Sequence, residues 1–420
     1  MNRMGAASAT RGRDRVAVLG AGIMGCSVAL MLARQGHRVV LFDAAEAPFR
    51  GASRWNEGKI HLGYLYAGDP SLATARKLLP GGLAFRGIVE DLVGCSLGPA
   101  ITPRDDLYLV HRDSVVEADA MGRYFEALSD VVRANGAADS YLVDVSGSGV
   151  SKLSKHELDA VADTRTIHAG FRVPERSVST NWIADRYLEA LRGEPAIEWR
   201  MSTRVRGVAA DGDGWRVDTV APAGDVSVDG ASVDGMFDTV VNALWEGRLE
   251  VDASAGLAPE PGWSHRYRQS LFVRTGEEVA APSAVIATGP FGDVKNYNGR
   301  DFYLSWYPHG LRAEGGGASP PALDDRSEAG IVEAICESLC ERLPPVRGII
   351  DGAESIRLEG GWVFAMGRGA LSDPASGLHR RDRFGIRQAG RYFSVDTGKY
   401  STAPALAREV AARIGVRRRA

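Results

Sequence analysis

Residues 15–43, RVAVLGAGIMGCSVALMLARQGHRVVLFD, decide the fold. Residues 15–19 form a short apolar run. Gly20-Ala21-Gly22-Ile23-Met24-Gly25 is G-x-G-x-x-G, residues 26–35 are a helical apolar stretch, and residues 38–42 form a second apolar run closed by Asp43. Strand, glycine turn, helix and strand in this register predict a dinucleotide-binding βαβ unit. Gly20 permits the tight turn, Gly22 lets backbone approach a pyrophosphate, and Gly25 lets the helix pack on the sheet. The helix N-terminus offers N–H groups and a partial positive charge to phosphates. Asp43, eighteen residues after Gly25, is placed to accept a hydrogen bond from a ribose 2′-hydroxyl. An acid here favours FAD or NAD over a 2′-phosphorylated cofactor. Residues 16–33 are apolar enough to suggest a membrane span, but the glycines at one end and the amphipathic continuation argue for a buried βαβ unit.

At 420 residues the chain is long enough for two domains, and its net charge of -3 shows no basic excess of the kind that marks nucleic-acid binding. The clusters Arg380-Arg381 and 417–419 read as a loop and a solvated tail. Residues 1–13 lack the apolar centre of a signal peptide and are expected to be a disordered leader on a cytoplasmic protein. The cysteines, Cys26, Cys95, Cys336 and Cys340, contain no C-x-x-C pair, so neither a structural disulfide nor a zinc site is expected.

Residues 54–66 crowd Arg, Asn, Glu, Lys, His and two Tyr between glycines, which suggests a site rather than a plain surface loop. A helix is expected from about Ser71, capped by that serine after Pro70. Further on, 106–111 alternates like a strand, 115–135 and 152–161 read as helical, and 176–193 is a capped amphipathic helix. Residues 197–218 read as two strands around the turn 211–214, 225–233 as another alternating piece, and 237–244 as a buried parallel strand. Residues 294–307 contain an Asn298-Gly299 hairpin between aromatic strands. A helix follows at 327–342, a strand pair around Gly360-Gly361, a strand at 391–395, a turn at 396–399 and a closing helix at 403–414. This layout predicts an α/β fold with a discontinuous nucleotide domain (14–85, 175–262 and 352–416). A substrate domain of mixed, largely antiparallel sheet would comprise 86–174 and 263–351.

These residues resemble the FAD-dependent oxidoreductases of the D-amino-acid oxidase and glycine oxidase superfamily, over most of the chain. Residues 16–43 carry the first part of the resemblance. Residues 240–244, VVNAL, are similar to a strand usually ending VVNAAG, with Leu244-Trp245 replacing Ala-Gly. Residues 392–407, YFSVDTGKYSTAPALA, are similar to the turn and helix that face the pyrimidine end of the flavin in such proteins. Residues 56–78 are similar to a segment of L-2-hydroxyglutarate dehydrogenase-like members, matching at Asn56, Gly58, Ile60, His61, Gly63, Tyr66, Pro70, Ser71 and Leu72.

The resemblance implies a glutathione-reductase type FAD-binding domain. Its FAD contacts would come from the fingerprint residues Gly20 to Gly25 and Asp43, and from Ser53, Arg54, Asn56, Gly58 and Lys59 of the polar loop. Val205, Ala243, Gly398, Lys399 and Tyr400 complete the set. Two helix N-termini suit FAD, one for the pyrophosphate and one for negative charge at the flavin N1/C2 carbonyl locus, whereas NAD has no need of the second. The chemistry implied is hydride removal from an amine- or hydroxyl-bearing carbon of a small molecule to flavin N5. His61 would be the acid–base group and Tyr303 its companion, with Tyr297, Trp306 and Tyr307 as pocket walls. A hydroxyl substrate needs a base as hydride leaves; a neutral amine supplies its own lone pair. A substrate carboxylate would call for an arginine fork, with Arg357, Arg368 and Arg380 as candidates. A hydroxy-acid dehydrogenase using an acceptor other than oxygen, an NAD enzyme of the same fold, and a binding protein without catalysis are the competing readings.

The resemblance of the histidine motif implies a flavin held without a covalent bond, so acid precipitation should release the yellow cofactor into the supernatant. Colour retained in the pellet would instead mean attachment at His61 or a cysteine.

Overall fold

The computed structural model describes residues 14–220 and 235–415. The leader expected at 1–13, the alternating stretch at 225–233 and the tail at 417–419 lie outside the described residues.

Continuous apolar runs build the first sheet because both of its faces are covered. Its order is Gly385–Ala389, Tyr392–Asp396, Thr239–Asn242, Arg15–Leu19, Arg38–Phe42, Ile197–Arg200. All neighbours are parallel except the first pair, a hairpin at the edge. Helix Ile23–Arg34 is buried along nearly its whole length, between this sheet and helix Ala403–Gly415. That packing explains its uniform apolarity, and among the described residues no helix is long and apolar enough to cross a membrane. Beyond Arg200 the chain makes the hairpin Arg204–Asp211 and Gly214–Val220, so 197–218 yields three strands rather than two.

The second sheet has nine strands, three of which pair with the long strand Trp263–Thr275 near one end of the order. On one face its apolar side chains meet helices Glu328–Arg342 and Val346–Asp351. The Asn298-Gly299 hairpin joins Gly292–Asn296 to Asp301–Trp306 as expected. The strand pair expected around Gly360-Gly361 is instead one strand, Ala353–Met366, paired along Trp263–Thr275. It therefore lies in the second sheet, not with the nucleotide unit to which its sequence position assigned it. Its glycines serve close approach rather than a turn: a Cβ on Gly361 would stand 2.5 Å from Ala52 Cα, and one on Gly360 2.6 Å from the Arg268 carbonyl.

Helix Ala73–Val93 starts two residues later than the Ser71 reading. Leu72 turns the chain at φ 60°, and two side chains share the capping: Ser71 Oγ, as expected, accepts from the Ala73 N–H at 3.2 Å, and Asp69 from the Thr74 N–H at 3.1 Å. Midway along, Gly82 lies under the His61 backbone, where a Cβ would meet the His61 carbonyl at 2.2 Å. Gly82→Ala should therefore destabilise the fold by about 1–3 kcal/mol in urea unfolding, because the contact is with backbone that cannot swing aside. Gly87→Ala, on the same helix with nothing within 4 Å of its Cβ, should be neutral or stabilising by up to about 1 kcal/mol. Equal stabilities for the two variants would refute this packing.

Candidate active site

A cavity of about 540 Å³ opens between the two sheets. Gly20, Asp43, Ala243 and Thr397, each just beyond the carboxyl end of a parallel strand, form one side of it. Open α/β sheets place their ligands at this edge.

At one end stands the fingerprint. Gly20 has φ +97°, and a Cβ on it would meet the Ala243 carbonyl at 2.6 Å. The Ala21 and Ala45 N–H groups donate to the two oxygens of Asp43, at 2.7 and 2.8 Å. Burial raises the Asp43 pKa, and these two bonds oppose that. A Cβ on Gly22 would stand 2.7 Å from Ser53 Oγ, which accepts from the Ile23 N–H at 3.0 Å. Ala21, Ile23, Met24, Val205 and Ser53 all line the cavity. Gly25 does not; its Cβ would lie 1.8 Å from the Gly20 carbonyl, so it serves the helix-on-strand contact expected of the third glycine.

The polar loop divides. Asn56 and Lys59 line the cavity, and Asn56 Oδ1 shapes the loop by accepting from the Gly58 N–H at 2.8 Å. Arg54 and Gly58 do not line it. Arg54 turns to helix Thr180–Arg192, pairing with Asp185 at 2.7 Å and donating to Asn181. Gly58 packs on strand backbone, where a Cβ would meet the Val178 carbonyl at 1.9 Å.

At the glycine position of the VVNAAG-like strand, Trp245 itself adopts φ 56°. A left-handed conformation costs a residue with a side chain roughly 1–2 kcal/mol. The indole offsets this by donating to the Trp362 carbonyl at 2.7 Å, which ties the first sheet to the second beside the cavity. The close approach at Gly20 is thus kept without the glycine. Next to it, Glu246 faces the cavity with a pKa pushed up to about 7, by burial first and then by Asp43.

At the other end Gly398, Lys399 and Tyr400 line the cavity. Gly398 has φ +65° and gives its N–H to Asp396 Oδ1 at 2.9 Å, while the Lys399 N–H meets the Thr397 carbonyl at 2.6 Å. Of the three residues expected to present N–H groups to the flavin, Gly398 and Lys399 thus have theirs satisfied within the turn. The short turn Tyr400–Thr402 separates them from helix Ala403–Gly415.

His61 lines the cavity at 1% exposure, with Nδ1 unpartnered among the described residues. Burial first, then Lys399, Lys59, Lys295 and Arg381, hold its pKa well below the ordinary value, so the imidazole is neutral. Tyr303 hydrogen-bonds Ser270 at 2.9 Å; burial raises its pKa, making it a neutral hydroxyl rather than a base. Trp306 and Tyr307 stand outside the cavity lining, and Tyr297 is buried with its hydroxyl on the Glu57 carbonyl at 3.2 Å.

None of the three candidate arginines faces the cavity. Arg357 is exposed, Arg368 lies by the Trp263 carbonyl and Arg380 pairs with Asp382 at 2.7 Å. Arg381 and Arg268 face it instead. Arg381 is buried, with Nε and Nη1 unpartnered among the described residues. No spacing in the sequence separates it from its exposed neighbour Arg380.

Fold and cavity together define a dinucleotide-binding oxidoreductase. The family model "FAD dependent oxidoreductase" (DAO) matches residues 15–413, and the chain belongs to that family. Its cofactor is FAD, and the Gly20–Gly22 cradle, which side chains would fill, fits an extended pyrophosphate. The tRNA 5-methylaminomethyl-2-thiouridine biosynthesis bifunctional protein MnmC of Ralstonia nicotianae is 29% identical over 253 residues, 58% of this chain and 33% of that protein. The chain thus spans about a third of that relative's length. Among solved structures, glycine oxidase from Geobacillus kaustophilus superposes with a TM-score of 0.68 at 17% identity, covering 95% of each chain. The FAD-bound L-alpha-glycerophosphate oxidase from Mycoplasma pneumoniae gives 0.61 at 17% identity, covering 97% of this chain and 96% of that one. These likenesses show the fold.

Gly22→Val should fold yet lose bound FAD, read as flavin absorbance per protein after gel filtration, since its branches would fill the phosphate approach beside Ser53. Stoichiometric FAD in a folded variant would overturn the assignment of the cradle.

Proposed function

We propose that the enzyme oxidises a small amine or amino acid that carries a carboxylate. The carrying observation is Arg381, a buried guanidinium with two unpartnered nitrogens in a cavity that also holds His61 and Lys399. Buried cations without an acid are costly unless a ligand supplies one, and a carboxylate matches the planar fork. Bound FAD supplies the hydride acceptor. The chain holds the substrate carboxylate at Arg381, keeps water out with Trp55, Tyr303 and Trp362, and keeps a neutral imidazole at the reacting end.

The state of His61 supports the amine over the hydroxy acid. A base that removes a hydroxyl proton becomes imidazolium, and here it would do so among Lys399, Lys59, Lys295 and Arg381. A neutral amine needs no such step. The likeness to glycine oxidase supports the same reading.

Anaerobic flavin bleaching with a panel of amino acids, N-substituted amino acids and 2-hydroxy acids tests it. The amines should reduce the flavin and the hydroxy acids should not. Arg381→Met should raise KM for the active amine by roughly 10²-fold, the order expected for a buried charge-assisted pair. His61→Asn should change its reduction rate by less than about tenfold. Bleaching by hydroxy acids alone, with a loss of roughly 10²–10⁴-fold in His61→Asn, the size of a general-base contribution, would instead establish the hydroxy-acid reading.

A further inference from the structure

The cavity holds a second cation without an acid. Arg268 and Ser270, two residues apart on strand Trp263–Thr275, both line it. The guanidinium lies 4.8 Å above the Tyr307 ring, and Nη2 donates to Ser305 Oγ at 3.1 Å. Ser305 in turn donates to Asp293 Oδ1 at 2.5 Å. Nε of Arg268 has no partner, and among the described residues no carboxylate lies within 4.0 Å of Arg268, Arg381 or Lys399.

Three cations at the reacting end thus lack an ion pair. The cavity-lining acid there is Glu57, which feels Lys399 and Arg268 most strongly of its cationic neighbours, then Lys59. Lys59 is already satisfied by Asp106. Asp293, behind Ser305, and Asp396, behind Gly398, are both shifted by burial toward their neutral forms, and Arg266 adds a further buried cation nearby. Among the residues that line this end of the cavity, one carboxylate faces three cations that have no ion pair among the described residues, and that imbalance favours an anionic ligand. Glu57, Lys399 and Arg268 line the same cavity, and against burial Lys399 and then Arg268 bring the Glu57 carboxyl below its ordinary range, so both cations act on the one lining acid at this end.

We propose that the substrate is an amine with two carboxylate arms: one arm docks on Arg381 and Lys399, the nitrogen faces Glu57, and the second arm docks on Arg268. Arg268 is then the specificity-determining residue that separates amino dicarboxylates from simple amino acids. This rests on the amine–carboxylate reading above.

The test uses the oxidised FAD-loaded enzyme and two unreactive ligands that differ by one carboxylate. Thiodiacetate has sulfur in place of the amine NH, and (methylthio)acetate lacks the second arm. Titration followed by the flavin difference spectrum should give thiodiacetate a Kd at least about tenfold lower, the gain expected from one desolvated charge pair. Arg268→Met should bring the two constants to within about threefold of one another. If (methylthio)acetate binds and thiodiacetate binds no tighter, this proposal falls and the amine–carboxylate reading stands. If neither perturbs the flavin spectrum, this proposal falls, and the amine–carboxylate reading falls with it only if the amines of the panel also leave the flavin unbleached. An unchanged preference in Arg268→Met would remove Arg268 from the second subsite. The wild-type ratio decides the matter alone if that variant does not fold.

Discussion

One carboxylate, Asp106, holds two buried lysines, and the cavity depends on that contact. Lys59 Nζ and Lys295 Nζ both bond Asp106 Oδ2, the latter at 2.6 Å, and Lys59 also lies 3.5 Å from Glu175. Glu175 accepts from the Leu62 and Gly63 N–H groups at 2.6 and 3.2 Å and from the Tyr108 hydroxyl at 2.5 Å. These side chains are essentially without solvent. Burial and the two lysines act oppositely on Asp106, and the lysines prevail, holding it ionised. Breaking a pair of this kind strands a charge in the interior, at a cost of about 3–5 kcal/mol. The network anchors residues 59–63 to the second sheet, and thereby sets where Glu57 and His61 stand in the cavity.

The same concentration of charge shapes the chemistry. Lysines that build the wall also depress His61, so a residue type usually associated with proton removal is kept neutral and weakly basic. Burial alone would raise Glu57, yet Lys399, Arg268 and Lys59 bring it below its ordinary value. The reacting end therefore contains a neutral imidazole, an ionised carboxylate and unpartnered cations. That combination suits an amine that reacts through its neutral form better than it ionises an alcohol.

The adenosine end obeys a different constraint. Backbone must come close at Gly20 and Gly22, while Trp245 keeps a left-handed turn with an indole attached, held by the Trp362 carbonyl. Trp362 lies on Ala353–Met366, a strand of the second sheet, so the cofactor cleft is closed by a residue from outside the nucleotide-binding sheet. The assignment of 352–416 to a single unit failed at this strand because pairing partners, not chain neighbours, decide sheet membership.

The sequence by itself determined the elements whose signals are local. The βαβ unit at 15–43, the Asn298-Gly299 hairpin, the helix near 328–342 and the turn at 396–399 follow from periodicity, glycine placement and turn chemistry over a few residues. The polar segment 54–66 was legible as a site because dense polar side chains beside an apolar strand are expensive to bury without purpose. Which of its members face the cavity was not legible: Arg54 leaves for Asp185, and Gly58 serves packing. Tertiary structure alone decided that Arg381 enters the cavity while Arg380 faces solvent, and that Arg268 lines it with no carboxylate at ion-pair distance among the described residues. The physical reason is that an unpaired buried charge is a property of the space around a side chain. That space is assembled from strands hundreds of residues apart, and no spacing along the chain records it.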